Sequence, residues 1–194
     1  MTSVMLPEST RLAPHDVATR RFTATNEAAA QFFNDHVDAV AQACHAMSSR
    51  FQLGGRLFVC GDGAQRSDVA HVVVEFVHPV VVGKRALPAL PLPEIEGGAA
   101  LHALAAMGKP GDLVMLIASQ DLGDSARAVL AAARAQGMLT LALIGDARGS
   151  AAVADHVFAV PTPDRCIVQE THEMLYHVLW ELVHVFLEHR PVSA

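Results

Sequence analysis

Two pairs of residues, far apart in the chain, have the types and spacings of a divided metal site. His71 and Glu75 stand four apart in an apolar run, AHVVVEFV, just beyond a glycine-containing turn. Gln169 and His177 stand eight apart in a long C-terminal segment with helical periodicity. On an α-helix, positions i and i+4 share a face, and positions i and i+8 stay within about 80° of each other. Each pair can therefore present two donor atoms in one direction. Two imidazoles, a carboxylate and an amide oxygen form a donor set for a divalent cation such as zinc. The same residues admit plainer roles. His71 and Glu75 also fit an ordinary pair on a half-buried helix. Glu173 and Glu181 flank His177 at i−4 and i+4, so its partner could be a carboxylate rather than a metal.

Alternating strands and helices must position these residues. Residues 1–21 carry Pro7 and Pro14 and little periodicity, and read as an N-terminal arm; residues 22–194 read as a single domain. A helix is expected from about Thr25 to Arg50, capped by Thr25 or Asn26, with Phe32, Phe33, Val37, Val40, Ala41, Cys44 and Met47 as its apolar stripe. Strands are expected at Arg56–Cys60, Ala86–Leu92 (proline-containing and so at an edge), Leu113–Ala118, Leu139–Ile144 and His156–Val160. Helices are expected at Ser67–Val77, 99–107, Asp124–Gln136 (stopped by Gly137) and 167–189, with a helical turn at Ser150–Ala154. This order implies a doubly wound α/β sandwich around a central parallel sheet, with an N-terminal helix and a long C-terminal helix. Ligands of such sheets bind at the carboxyl ends of the strands, here the loops after Cys60 and Ala118.

Composition narrows the class. The 194 residues are 52% hydrophobic, much of it Ala and Val, which suits a buried parallel sheet. No apolar run reaches the roughly 18 residues that span a bilayer. The first residues lack a basic region followed by an apolar stretch, so no signal peptide is expected and a cytoplasmic location is the default. A net charge of −6 without a basic block argues against direct nucleic-acid binding. Cys44, Cys60 and Cys166 are odd in number and widely spaced, so they are expected as buried thiols in a reducing compartment. His172, His184 and His189 are expected to be solvated or at an interface, and Tyr176 and Trp180 to be packing anchors. The stripe Leu175, Leu179, Leu182, Val183 and Phe186 is expected in the core or at a subunit contact. Asp62 and Asp124 could be helix N-caps, and Ser125 a cap or a phosphate contact.

The turn Cys60-Gly61-Asp62-Gly63, followed by Asp68, His71 and Glu75, resembles the first loop and helix of sedoheptulose 7-phosphate isomerases (phosphoheptose isomerases), members of the sugar isomerase (SIS) domain superfamily. The likeness returns at Gly123-Asp124-Ser125-Ala126, at residues 133–138 and at Val168-Gln169-Glu170-Thr171-His172 with His177 beyond, and covers roughly residues 30–187. The resemblance implies zinc held by His71, Glu75, Gln169 and His177. It also implies that Glu75 and His177 are the base and acid of an aldose–ketose isomerisation, an intramolecular oxidoreduction through an enediol. If both also ligate the metal, the two roles compete. It implies a sugar or sugar-phosphate substrate, substrate contacts from Gly61, Asp62, Gly63, Gln65, Ser119, Asp124 and Ser125, and a homotetramer with sites between subunits.

The loops depart from the family pattern. The first loop, usually Gly-Asn-Gly-Gly-Ser, reads Gly61-Asp62-Gly63-Ala64-Gln65, and the second, usually Ser-Thr-Ser-Gly-Asn-Ser, reads Ser119-Gln120-Asp121-Leu122-Gly123-Asp124-Ser125. Hydroxyls and amide N–H groups hold a phosphate dianion, whereas nearby carboxylates repel it by about 1–4 kcal/mol each. The metal frame is kept and the phosphosugar frame is altered, with Arg66 and Arg165 near both loops as cations that could restore anion binding. An altered sugar substrate is one consequence. A non-catalytic scaffold of the replication-initiator-binding type, or a sugar sensor, is the alternative.

Overall fold

The strands are near-continuous apolar runs because both faces of the sheet are covered. In the computed structural model, which describes residues 13–145 and 152–189, five parallel strands form one sheet: β1 (Leu57–Gly61), β2 (Ala89–Pro91), β3 (Leu113–Ile117), β4 (Leu139–Ile144) and β5 (His156–Ala159). Their order is β2-β1-β3-β4-β5, which is doubly wound, and β2 with its proline lies at an edge as expected. Every residue of β3 and β4 is buried. Alternation along each strand divides the core. Leu57, Val59, Met115, Ile117, Leu141 and Leu143 pack on one side against helices α1 (Pro14–Gln52), α2 (Arg66–Val77) and α5 (Arg165–Glu188). Phe58, Cys60, Val114, Leu116, Ala142 and Ile144 pack on the other against α3 (Ala99–Met107) and α4 (Asp124–Ala135). The chain order reverses between β1 and β3, so their loops flank the switch-point crevice.

The first helix corrects the expected arm. It begins at Pro14, a residue tolerated in a first helical turn, so residues 14–21 are helical and Thr25 lies inside the helix rather than capping it. Residues 1–12 lie outside the described residues. The early turns lack an apolar stripe because polar groups dock them: Arg21 bonds Asp164 at 2.7 Å and Glu170 at 2.9 Å, and Thr25 Oγ1 donates to Glu170 at 2.7 Å. Asp164 in turn accepts from the N–H groups of Cys166 and Ile167, so one carboxylate caps α5 and anchors α1. Of the expected stripe, Phe32, Val40, Cys44 and Met47 are buried, whereas Val37 is exposed. Residues 152–154 form a turn rather than a helix, and 150 and 151 lie outside the described residues.

Three polar expectations also change. His172 and His184 are core residues: His172 Nε2 lies 3.1 Å from the Ile144 carbonyl, and His184 lies within 3.0 Å of the Trp180 and Arg85 carbonyls. Burial lowers the His172 pKa to about 4, so this ring is neutral near pH 7. Cys44 and Cys60 are buried thiols pushed up to about 12 by burial, but Cys166 is exposed.

Gly145 shows how closely the loops at the strand ends approach. A Cβ there would stand 2.5 Å from the Ser119 carbonyl oxygen and 3.0 Å from Gln120 Cα, both backbone atoms. Gly145→Ala is expected to destabilise the fold by about 1–3 kcal/mol through overpacking, read as a lower urea midpoint at unchanged slope.

Candidate active site

Helix α2 is apolar on two sides, so it lies between neighbours and turns different residues to each. Asp68, His71 and Glu75, at helical spacing, face α5. On α5, Gln169, Glu173, Tyr176 and His177 follow the same periodicity and face back. His71, Glu75 and His177 converge so that one donor atom of each lies within 4.8 Å of the other two. His71 Nε2 is 3.3 Å from His177 Nε2 and 3.5 Å from Glu75 Oε1; His177 Nε2 is 4.0 Å from the same oxygen. Glu75 is the most enclosed, its side chain 13% exposed against 36% for His71 and 43% for His177. Three acceptor-capable atoms at this spacing must share protons or a cation. Imidazole and carboxylate donors are the types zinc accepts, and so the residues fit such an ion.

Gln169 does not join that trio directly. Its side-chain nitrogen donates to Asp68 at 3.1 Å. With the amide nitrogen committed, the amide oxygen is the atom left for a cation. Asp68 is 3% exposed, and burial raises its pKa against the lowering effect of the Gln169 hydrogen bond. Two residues read only as neighbours prove closer to the chemistry. Tyr176, expected as a packing anchor, is buried and places its hydroxyl 2.9 Å from His71 Nδ1. Glu173, expected beside His177, has its carboxylate 3.7 Å from the same His71 nitrogen. Burial, reinforced by Glu173, raises the Tyr176 pKa, so the phenol stays protonated. The spacing 169-173-176 was the available signal for both.

The expected substrate residues are distributed over separate hollows. Gly61, Asp62 and Gly63 line a cavity of ≈ 730 Å³ whose walls include Val69, Val73, Leu92 and Ile95 and whose polar groups are Asp62, Arg66, Glu94 and Glu96. Ser119 lines a second hollow of ≈ 400 Å³ with Gln120, Asp121, Thr162 and Pro163. Gln65 is buried, and its Oε1 has no hydrogen-bond partner among the described residues. Asp62 holds the N-cap position of the short turn Gly63–Gln65 without a side-chain hydrogen bond, whereas Asp124 is not the cap of α4, where Gly123 stands. Ser125 Oγ donates to Glu96 at 3.1 Å. Arg66 pairs with Glu94. The cluster His71, Glu75, His177 borders neither hollow, because it occupies the α5 side of α2 and the larger cavity the opposite side.

The parallel 2-1-3-4-5 sheet is a doubly wound α/β fold, and it resembles in fold the solved sugar isomerase domain of an RpiR transcription factor from Sphaerobacter thermophilus, with a TM-score of 0.56 at 21% identity. No protein-family model matches the chain. A phosphoheptose isomerase of Solidesulfovibrio magneticus is 30% identical over 174 residues, covering 82% of this chain and 84% of that one. Another, from a Roseiflexus species, is 29% identical over 192 residues, covering 88% and 95%. The solved structure of a phosphoheptose isomerase from Francisella tularensis superposes with a TM-score of 0.76 at 22% identity, covering 90% of this chain and all of that one. The chain belongs to the phosphoheptose isomerase family. Among the described residues no helix is long and apolar enough to cross a membrane.

Proposed function

We propose that the chain is an aldose–ketose isomerase of the sedoheptulose 7-phosphate isomerase type, with zinc held by His71, Glu75, His177 and the Gln169 amide oxygen. The convergence of His71, Glu75 and His177 from two distant helices carries this reading, supported by the family of the chain. When bound, the ion would polarise the substrate carbonyl. The chain's own groups then supply the proton transfers. Glu75 takes a proton from C1 of the ketose while His177 protonates O2, giving an enediol. Return of the proton to C2 with loss of the O1 proton leaves the aldehyde at C1. The exposure of His71 and His177 supports a site completed by another subunit of a homotetramer, and the metabolic chemistry supports a cytoplasmic location.

The loops bear on the substrate. Asp62, Glu94 and Glu96 outnumber Arg66 around the larger cavity, and Arg66 and Ser125 are engaged by two of those carboxylates. This cavity therefore suits a group less anionic than a phosphate ester. The test is metal analysis of the purified full chain with turnover of ketoheptose 7-phosphate and of free ketoheptose followed by NMR. Stoichiometric zinc is expected. Its removal by chelation is expected to abolish turnover and its return to restore it. Full activity in metal-free protein would remove zinc from the proposal. Inactivity of the loaded protein toward both sugars would remove the isomerase.

A further inference from the structure

The ring of His71 is contacted on both nitrogens, and the two sides differ in chemistry. Nε2 faces the cluster with Glu75 and His177. Nδ1 faces the Tyr176 oxygen at 2.9 Å and the Glu173 carboxylate at 3.7 Å. Edge contacts of the His71 ring with Tyr176 and with His177, centroids 5.2 and 5.0 Å away, fix its plane. A neutral imidazole carries one proton, and its location is set by the acceptors at each nitrogen. Glu173 and the Tyr176 oxygen are two acceptors on the Nδ1 side, and the Tyr176 oxygen at 2.9 Å is nearer its nitrogen than His177 at 3.3 Å or Glu75 at 3.5 Å is to Nε2. The Tyr176 hydroxyl oxygen, 2.9 Å from Nδ1, can accept from it.

We infer that Tyr176, with Glu173, is a positioning residue that holds the His71 proton on Nδ1 and so leaves the Nε2 lone pair aimed at Glu75 and His177. The inference rests on the metal reading only for its consequence; the tautomer itself is a property of the metal-free chain. A ligating histidine whose other nitrogen donates to an oxygen is oriented and made more basic, and loss of such a partner typically weakens metal binding about 10–100-fold.

Tyr176→Phe removes one oxygen and keeps the buried ring. The test is nitrogen-15 NMR of the histidine rings at pH 8 in the metal-free full chain, with His71 assigned by its loss in His71→Gln. Zinc affinity is measured alongside by competition with a chromophoric chelator. In the wild type, Nδ1 of His71 is expected to carry the proton. In Tyr176→Phe the ring is expected to shift toward the Nε2–H tautomer and zinc affinity to fall about 10–100-fold. A wild-type ring protonated on Nε2, or a tautomer unchanged in Tyr176→Phe, would overturn the inference. Wild-type protein that binds no zinc would overturn the metal reading instead, and the NMR result would still decide this one. Should Tyr176→Phe fail to fold, Glu173→Gln at the half-exposed neighbouring position gives the same readout, with the same shift expected and an unchanged tautomer counting against the inference.

Discussion

Glu75→Gln is expected to lower kcat for ketose–aldose interconversion about 10²–10⁴-fold, the usual worth of a positioned general base. The carboxylate is 13% exposed, 3.5 Å from His71 Nε2 and 4.0 Å from His177 Nε2, so an amide of the same shape leaves the packing of α2 on α5 nearly intact. What it removes is the only carboxylate of the His71–Glu75–His177 trio. The substitution touches a metal donor as well, and the two effects separate if turnover is measured at saturating zinc. Metal loss is then reversed while the missing base is not. A second readout is exchange of the C1 hydrogen of the ketose with solvent deuterium, which proceeds through the enediol and is expected to disappear with turnover. Turnover within tenfold of wild type at saturating zinc would exclude Glu75 as the base.

The parts of this site that could be read from the sequence are those carried by helical periodicity within one segment. The i,i+4 pair His71–Glu75 and the i,i+8 pair Gln169–His177 each announce a shared face, and the parallel α/β order brings α2 and α5 to one side of the sheet. The parallel sheet and the strand positions were also legible, since buried parallel strands are short apolar runs with glycine turns behind them, but the strand order was not. Which face meets which was not legible. Tyr176 looks like any aromatic in an apolar stripe until His71 is seen at its hydroxyl, and nothing in the sequence shows that Asp68 takes the Gln169 amide nitrogen. His172 and His184 look solvated until main-chain carbonyls from other elements are seen against their rings. The start of α1 was missed because Arg21 docks it through ion pairs to residues 143 and 149 positions away, with no local apolar signal. Long-range polar pairing leaves no period in the sequence.

The opposite end of the sheet provides a contrast in which stability, not chemistry, is at stake. Asp112 precedes β3, and its side chain is 4% exposed. It accepts from the Arg56 backbone N–H at 2.9 Å, from Arg56 Nη2 at 2.7 Å and from the Lys109 N–H at 3.0 Å, while Arg56 Nη2 also reaches the Met107 carbonyl at 2.6 Å. The carboxylate thus ties the entrances of β1 and β3 to the end of α3. Burial acts to raise its pKa, but Arg56 and the backbone donors outweigh burial and hold it below the ordinary carboxylate value. Asp112→Ala is expected to cost about 2–3 kcal/mol, discounted from a fully buried pair because Arg56 remains part exposed. That corresponds to a fall in Tm of about 5–10 °C for a chain of this size. A group with a depressed folded pKa contributes stability that is fully present above its unfolded pKa of about 3.9 and is lost as pH falls through the folded value. The stability gap between wild type and Asp112→Asn is therefore expected to be constant near neutrality and to close in acid. A gap that instead widened as pH fell would show the carboxylate to be destabilised in the fold, contrary to its hydrogen bonds. Because Asp112 lies at the amino ends of the strands and Glu75 on a helix that starts from their carboxyl ends, turnover per folded molecule is expected to survive Asp112→Ala. Glu75→Gln is expected to do the reverse, losing turnover with little change in Tm.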